Sequence, residues 1–181
     1  DLDITWTGER QFWRDAGATN GAEQSYAPGS AIDVLDQHFA NDAVFRAFLP
    51  FLYEQSAVTN LRTNVAVASS QLTGVDPGRL AVAGGLTLAN GSAAAVDQLG
   101  DGKVFVSERA AKELEVRDGD LLRLHVGGEE HTVTVVGIVR DELASGVLGV
   151  SYSSVPGGIV LALPELQALY GLDDGEISSI T

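Results

Sequence analysis

The clearest hydrophobic pattern in the chain lies between residues 103 and 141. Residues 104–106 are a short apolar run of the kind that forms a buried strand. Ser107 follows where the N-cap of a helix would stand, because its hydroxyl can accept a hydrogen bond from a free N–H of the first turn. A short helix is therefore predicted over 108–115, with three apolar residues on one side: Ala110, Ala111 and Leu114.

Two further strands are predicted over 121–126 and 132–139, joined as a hairpin across Gly127-Gly128. Successive residues of a strand point to opposite faces. With a loop of either two or four residues, one face carries Leu122, Leu124, Val126, His131, Val133 and Val135. His125 then points away from His131, which removes the most obvious pair of metal ligands.

The N-terminal part of the chain has a weaker pattern. Residues 2–7 alternate as a strand does, whereas 8–29 are polar and rich in turn residues, which predicts a loop. A helix is predicted over 43–55, because Asn41-Asp42 can cap it and apolar residues follow at helical spacing. Pro50 lies inside this helix and is expected to kink it.

The C-terminal part is predicted to contain strands separated by short helices. Residues 61–71 and 159–163 are predicted as strands, and 176–180 as the last one. The helix after 159–163 has both of its ends signalled, by Pro164 and Gly171.

The same order of elements, a strand, a short helix and a turn, occurs at 104–119 and again at 159–175. No other internal repeat is evident. Strands with few helices between them indicate an α+β protein with a mixed sheet rather than a doubly wound sheet.

Composition limits the classes of protein that fit. The chain has 181 residues, of which 45% are hydrophobic and 20% charged, which indicates one globular domain or two small subdomains. The net charge of −14 argues against binding to nucleic acid or to anionic lipid, because both need Lys and Arg at the phosphates. Methionine is absent and both ends alternate as strands do, so we expect a piece of a larger protein.

No residue is predicted to be catalytic or to bind a metal or a cofactor. The chain has no cysteine, no nucleophile motif of the G-x-S-x-G type and no phosphate-binding G-x-x-x-x-G-K-[ST] loop. The N-cap role accounts for Ser107. The acidic loop segments at 97–101 and 173–176 do not match the alternating oxygen ligands of a calcium loop. The sequence therefore predicts a protein that is not an enzyme.

One segment is a candidate for contact with a partner. Residues 147–152 carry no charge and lie between turn signals. They fit either a buried or edge strand or a surface that contacts another protein. The second interpretation assigns partner contacts to Val147, Leu148, Val150 and Tyr152.

Several of these motifs together resemble the extracytoplasmic, MacB-like periplasmic core domain of FtsX-like ABC transporter permeases. The resemblance rests on the order and spacing of short motifs: Ser107-Glu108, Ala110-Ala111 with Leu114, Gly119-Asp120, the V-V-G-I at 135–138, the apolar strand at 159–163 and the helix at 166–170. The initial LDITW and the G-V-D-P at 74–77 extend it to most of the chain.

The resemblance implies a fold and a division of the chain. Such domains combine a porter-like α/β part with a smaller inserted β-rich part that has short helices. Mapped onto this chain, the porter-like part spans 1–78 and 159–181, and the inserted part spans 79–158.

The resemblance also implies a place and a role. The domain would stand on the extracytoplasmic side of a cell membrane, inserted between two transmembrane helices. It would be non-catalytic and would couple ATP hydrolysis in the cytoplasm to export, lipoprotein handling or activation of a partner outside. The implied partners are an ATP-binding cassette ATPase, a second permease copy and an extracytoplasmic accessory protein. The alternative is a stand-alone binding module of the small β-barrel type.

Overall fold

The computed structural model describes residues 26–39, 47–141, 158–173 and 175–180. The strands in these ranges are Ala27–Pro28 (β1), Pro50–Asn60 (β2), Ala66–Val75 (β3), Lys103–Ser107 (β4), Leu121–Val126 (β5), Glu129–Val139 (β6), Gly158–Ala162 (β7), Glu176–Ile177 (β8) and Ser179–Ile180 (β9). The helices are Ser30–Phe39 (α1), Pro77–Val82 (α2), Glu108–Glu113 (α3) and Leu163–Tyr170 (α4), with a 3-10 helix at Val96–Gln98. The predicted α+β class with a mixed sheet is confirmed.

Six strands form a closed hydrogen-bonded ring in the order β3, β7, β4, β6, β5 and β2, and β2 pairs again with β3. The β3–β7 and β4–β6 pairs are parallel, and the other pairs in the ring are antiparallel. The short β9 pairs with the beginning of β2. Closing a sheet in this way gives each strand of the ring two neighbours, as in a small barrel.

The ring has an internal two-fold relationship. In this relationship β2 corresponds to β5, β3 to β6 and β4 to β7. Exchanging the corresponding strands reproduces every pair in the ring with the same parallel or antiparallel sense. The two equivalent central strands, β4 and β7, run antiparallel, with Phe105 opposite Val160. Each is followed by a helix, so α3 and α4 leave from opposite ends of the ring. The repeated order of strand, short helix and turn at 104–119 and 159–175 is the part of this relationship that the sequence reveals.

The main hydrophobic core lies inside the ring, because its buried side chains come from all six strands. The strand residues that fill it are Leu52, Val58, Leu72, Val104, Val106, Leu122, Leu124, Val126, Val133, Val135, Ile159 and Leu161. Leu114 of the α3 segment and Leu166 of α4 belong to the same cluster, so each of these helices contributes to closing the interior. The predicted common face of β5 and β6 is confirmed, with Leu122 opposite Val133 and Leu124 opposite His131.

A second buried cluster covers one outer side of the ring. Phe51, Phe105 and Val160 point outward into it, and Leu80 of α2 packs against them together with Leu86 and other residues between α2 and β4. A third cluster joins α1 to β8 and β9 through Ile32, Phe48, Ile177 and Ile180.

The prediction of a helix over 43–55 is wrong, because Pro50–Asn60 is a strand. The strand is buried on both faces at its start: Leu52 belongs to the core inside the ring and Phe51 to the outer cluster. Apolar residues therefore follow one another without the alternation of a half-exposed strand. Pro50 stands at the first position of the strand, where its missing N–H is tolerated.

Several other predicted boundaries are corrected. The strand expected at 61–71 runs instead over Ala66–Val75, and 61–65 connect it to β2. The strand expected at 176–180 is divided into β8 and β9, which pair with different strands. Ala27–Pro28, which lies in the predicted loop, forms β1. The predicted strand at 2–7 lies outside the described residues.

The strands at 104–106 and 159–163 and the helices after them are confirmed. Gly171 closes α4 in the left-handed conformation, with φ of 64°, as its position in the sequence predicts. Each of the three predicted segments, 1–78, 79–158 and 159–181, supplies strands to the same sheet, and the division into two parts stays a prediction.

Candidate functional site

The predicted contact residues Val147, Leu148, Val150 and Tyr152 lie outside the described residues. The structure describes residues on both sides of this stretch, and two of them, Val139 and Gly158, contact Ser107. Val139, at the end of β6, is the pairing partner of Ser107. Gly158, at the start of β7, donates its N–H to the Ser107 hydroxyl at 3.0 Å. Val139 and Gly158, which flank the sequence 142–157, therefore lie together at one end of the ring, beside the start of α3.

Ser107 is the helix cap that the sequence predicts. Its Oγ accepts hydrogen bonds from the N–H of Ala110, at 3.2 Å, and from that of Gly158. The side chain is buried, and its oxygen therefore ties α3 to the first residue of β7. This arrangement serves the structure, and nothing in it activates the hydroxyl as a nucleophile.

Replacing Ser107 with alanine is expected to lower the free energy of unfolding by about 2 kcal/mol, because two buried N–H groups lose their acceptor. Urea unfolding followed by circular dichroism measures this loss. Ser107→Thr keeps the oxygen and is the matched control, which we expect to retain most of the stability. Equal losses in the two variants would contradict a role for the hydroxyl oxygen.

The three histidines do not converge. His125 lies on the outer face of β5, where its Nδ1 is 3.9 Å from a Glu130 carboxylate oxygen. His131 is on the opposite face, as predicted, and His38 stands on α1 with its ring against Phe39. Within the described ranges, no three His, Asp or Glu side chains are grouped as the ligands of a metal ion would be. The Glu176 carboxylate in the acidic loop accepts the N–H of Asp173 at 2.8 Å, which is turn chemistry.

A partly buried polar network, not anticipated from the sequence, joins the β2–β3 connection to the segment before β5. The Asp120 carboxylate accepts bonds from Arg62 Nε at 2.7 Å and Nη2 at 2.9 Å, and from the N–H of Arg117 at 2.8 Å. The amide of Asn60, which is fully buried, also reaches Asp120 and the carbonyl oxygen of Leu114. The paired Arg62 guanidinium, helped by the other two donors, holds the pKa of Asp120 at about 2.

A second feature that the sequence did not indicate is a buried carboxyl on β2. Glu54 is 8% exposed and accepts a hydrogen bond from the hydroxyl of Tyr26. Burial raises its pKa, and the Tyr26 hydrogen bond opposes that rise. Burial also raises the pKa of the Tyr170 hydroxyl, to about 12, and this hydroxyl donates to the Gln55 carbonyl oxygen at 2.8 Å.

The signal for Glu54 was present but depended on the correct secondary structure. On a strand, Leu52, Glu54, Ser56 and Val58 share one face, and a carboxylate among apolar neighbours on an inward face is notable. On a helix over 43–55 the same residue does not share a face with Leu52, Ser56 and Val58 in this way. The misassigned helix therefore concealed the site.

The chain is similar in fold to solved extracytoplasmic domains of ABC transporter permeases. The extracellular domain of the noncanonical ABC-type transporter YknZ from Gram-positive bacteria matches with a TM-score of 0.56 and 13% identity over 86% of this chain. The periplasmic region of MacB from Actinobacillus actinomycetemcomitans matches with a TM-score of 0.57 and 16% identity over 84%. A domain described as part of a permease, from Porphyromonas gingivalis, matches with a TM-score of 0.56 and 15% identity over 86%.

These likenesses are of fold, across low sequence identity. The chain covers 71% of the YknZ domain, 62% of the MacB region and 61% of the Porphyromonas domain, so it spans less than two thirds of two of them. No protein-family profile matches the chain, and no curated protein matches it. None of the helices in the described ranges has both the length and the apolar character needed to cross a bilayer.

Proposed function

We propose that this chain is the extracytoplasmic domain of an ABC transporter permease and that it has no catalytic role of its own. The observation that carries the proposal is the shared fold with three such domains, over at least 84% of this chain. The proposed task is to couple ATP hydrolysis by a cytoplasmic ATP-binding cassette ATPase to events outside the membrane. Export of a substrate, handling of lipoproteins and activation of an external partner are the candidate events.

The construction of the ring suits such a task. A closed set of hydrogen-bonded strands cannot shear at a free edge, and the Arg62–Asp120 pair fastens the β2–β3 connection to the segment before β5. A body of this kind moves as a unit when force reaches one side of it. We infer that the domain transmits movement instead of deforming internally.

The proposal places the contact with a second permease copy or an accessory protein at residues 147, 148, 150 and 152. Two features support this choice. The segment has no charge in a chain of net charge −14, and the nearest described residues with stated partners, Val139 before it and Gly158 after it, both meet Ser107 at one end of the ring. An uncharged segment in an acidic domain is suited to a protein contact.

The role in a permease predicts which sequences flank the 181-residue chain in its gene. Apolar stretches of about 20 residues should directly precede Asp1 and follow Thr181, since a domain inserted between transmembrane helices requires them. Sequencing the gene, and fractionating cells that express its full-length product, tests this expectation. A full-length product that stays out of the membrane fraction would overturn the proposal.

The contact segment is tested in the full-length permease together with its ATPase. Replacing Val147, Leu148, Val150 and Tyr152 with serine should abolish transport-coupled stimulation of ATP hydrolysis and leave basal hydrolysis intact. Serine at both Glu129 and Glu130 is the matched control, because these residues are exposed at the opposite end of β6. A loss of thermal stability without a specific loss of transport would contradict the contact role and leave the permease assignment standing.

A stand-alone binding module is the second candidate function, and the closed ring favours it, since small barrels commonly bind ligands. Buried apolar side chains from all six strands fill the ring of this chain, so a ligand would have to bind outside it. Expression of a full-length product without membrane-spanning segments would favour this function over the first.

A further inference from the structure

A hydrogen bond between Tyr26 and Glu54 connects a small ribbon of strands to the ring. β1 and β8 form a small two-stranded ribbon, with Ala27 opposite Ile177 and Pro28 opposite Glu176. Tyr26 directly precedes β1, packs against the core inside the ring and donates its hydroxyl to Glu54 of β2. This hydrogen bond therefore joins the ribbon to the wall of the ring.

The surroundings of Glu54 disfavour a negative charge. Its pairing partner on β3 is the apolar Leu72. Among the described residues, the titratable groups that face this region from the packed elements are the hydroxyl of Tyr26, the hydroxyl of Tyr170 on α4 and the carboxylate of Glu176 on β8. None of these groups is a cation, and a buried carboxylate without a cationic partner is costly to ionise.

We propose that Glu54 and Tyr26 form a proton-sensitive latch that holds the β1–β8 ribbon against the ring. When Glu54 is protonated, the neutral carboxyl is accommodated in the half-apolar site and the ribbon stays docked. When it ionises, water is the better environment for the carboxylate, and opening of the ribbon lets water reach it. The device goes beyond the proposed function and does not depend on it.

Whether docking of the ribbon strengthens or weakens with pH follows from the direction of the Glu54 pKa shift. The pKa of Glu54 is raised in the docked state, so the docked state holds its proton at a pH where the open state has lost it. Docking is therefore strongest below the pKa of the open, solvated carboxyl. It weakens as the pH rises through the higher pKa of the docked one.

Hydrogen exchange on the 181-residue chain tests the latch, with Glu54→Gln as the reference at each pH. The variant keeps the shape of the side chain and cannot ionise, so the ratio of wild-type to variant exchange rates cancels the intrinsic pH dependence of exchange. The amides to follow are those of Ala27 and Gly29 on one side of the ribbon and of 175–177 on the other. We expect a ratio near one at about pH 3, below the usual pKa of a solvated carboxyl, and a ratio several-fold higher at about pH 8, where the carboxyl is ionised once the ribbon opens.

Two further variants separate the latch from a purely structural contact. Tyr26→Phe removes the hydrogen bond that stabilises the ionised form, so the midpoint of the pH dependence should move to higher pH. Tyr170→Phe removes a neighbouring hydroxyl that is bonded to the Gln55 carbonyl oxygen instead, and it should leave the midpoint in place. A ratio that is the same at every pH, or an equal effect of the two phenylalanine variants, would overturn the proposal.

Discussion

Replacing Phe105 with alanine is expected to lower the free energy of unfolding by about 3 to 5 kcal/mol, the usual cost of emptying a large buried aromatic site. Phe105 is 2% exposed and lies at the centre of the two-fold relationship, opposite Val160 in the β4–β7 pair. Its ring packs in the outer cluster, and Gly137 of the neighbouring β6 leaves room for it. A Cβ at position 137 would stand 3.2 Å from the Phe105 ring and 2.9 Å from Leu88.

Chemical denaturation of the wild type and the variant measures the effect. Leu121→Ala is the matched control, because Leu121 is a large apolar residue in the same sheet but is 44% exposed. That substitution should cost less than about 1 kcal/mol. If Phe105→Ala cost no more than the control, the outer cluster would not contribute to stability in the way that its burial indicates.

Replacing Asp120 with asparagine is expected to destabilise the protein by about 2 to 3 kcal/mol near neutral pH, because Arg62 and the buried Asn60 lose a charged partner. The effect should depend on pH. The pKa of Asp120 is depressed to about 2 in the folded protein, so its contribution is fully present above the pKa of the unfolded carboxyl, about 4. It is lost as the pH falls towards 2.

The difference in stability between wild type and Asp120→Asn should therefore be constant from about pH 7 to pH 5 and shrink below about pH 4. Urea unfolding at several pH values measures it, and taking the difference removes the contributions of other carboxyls. Glu130→Gln breaks the exposed pair with Arg123 and should cost less than about 1 kcal/mol. A difference that persists undiminished at pH 2 to 3 would contradict the electrostatic origin of the effect.

The part of the fold that could be predicted from the sequence is the part built from contacts close in sequence. The Ser107 cap, the hairpin across Gly127-Gly128 and the end of α4 at Gly171 are all as expected. Each of them needs only a few neighbouring residues to be satisfied. The register of β5 and β6 follows in the same way, because a short hairpin loop leaves little freedom in the pairing.

The errors occurred where burial came from distant parts of the chain. The start of β2 is covered on one face by the ring interior and on the other by the outer cluster, and its first apolar residues therefore show no alternation that distinguishes them from a helix. The helix predicted over 43–55 concealed the inward position of Glu54, and the pairing of Asn60 and Arg62 with Asp120 depends on segments far apart in the chain. The last of these contacts joins residues 58 positions apart.

The likeness to permease domains illustrates both what local motifs can indicate and what needs the three-dimensional structure. The order of short local motifs was enough to indicate the fold that the solved domains share, although the identity to them is 13–16%. The role of one of those motifs became clear only in three dimensions: the glycine of V-V-G-I is needed because Phe105 and Leu88 occupy the space of a side chain. The predicted contact at 147–152 still rests on the sequence alone.

The sequence by itself determined the α+β fold class, the strands and helices around the Ser107 and Pro164 signals, and the absence of motifs for nucleophilic or nucleotide chemistry. Only the tertiary structure decided that the strands close into a two-fold ring and that Glu54 is buried beside Tyr26. The reason is physical. Caps, turns and hairpins are stabilised by residues within a few positions, whereas ring closure and the burial of a carboxyl depend on pairing between strands that lie far apart in the chain.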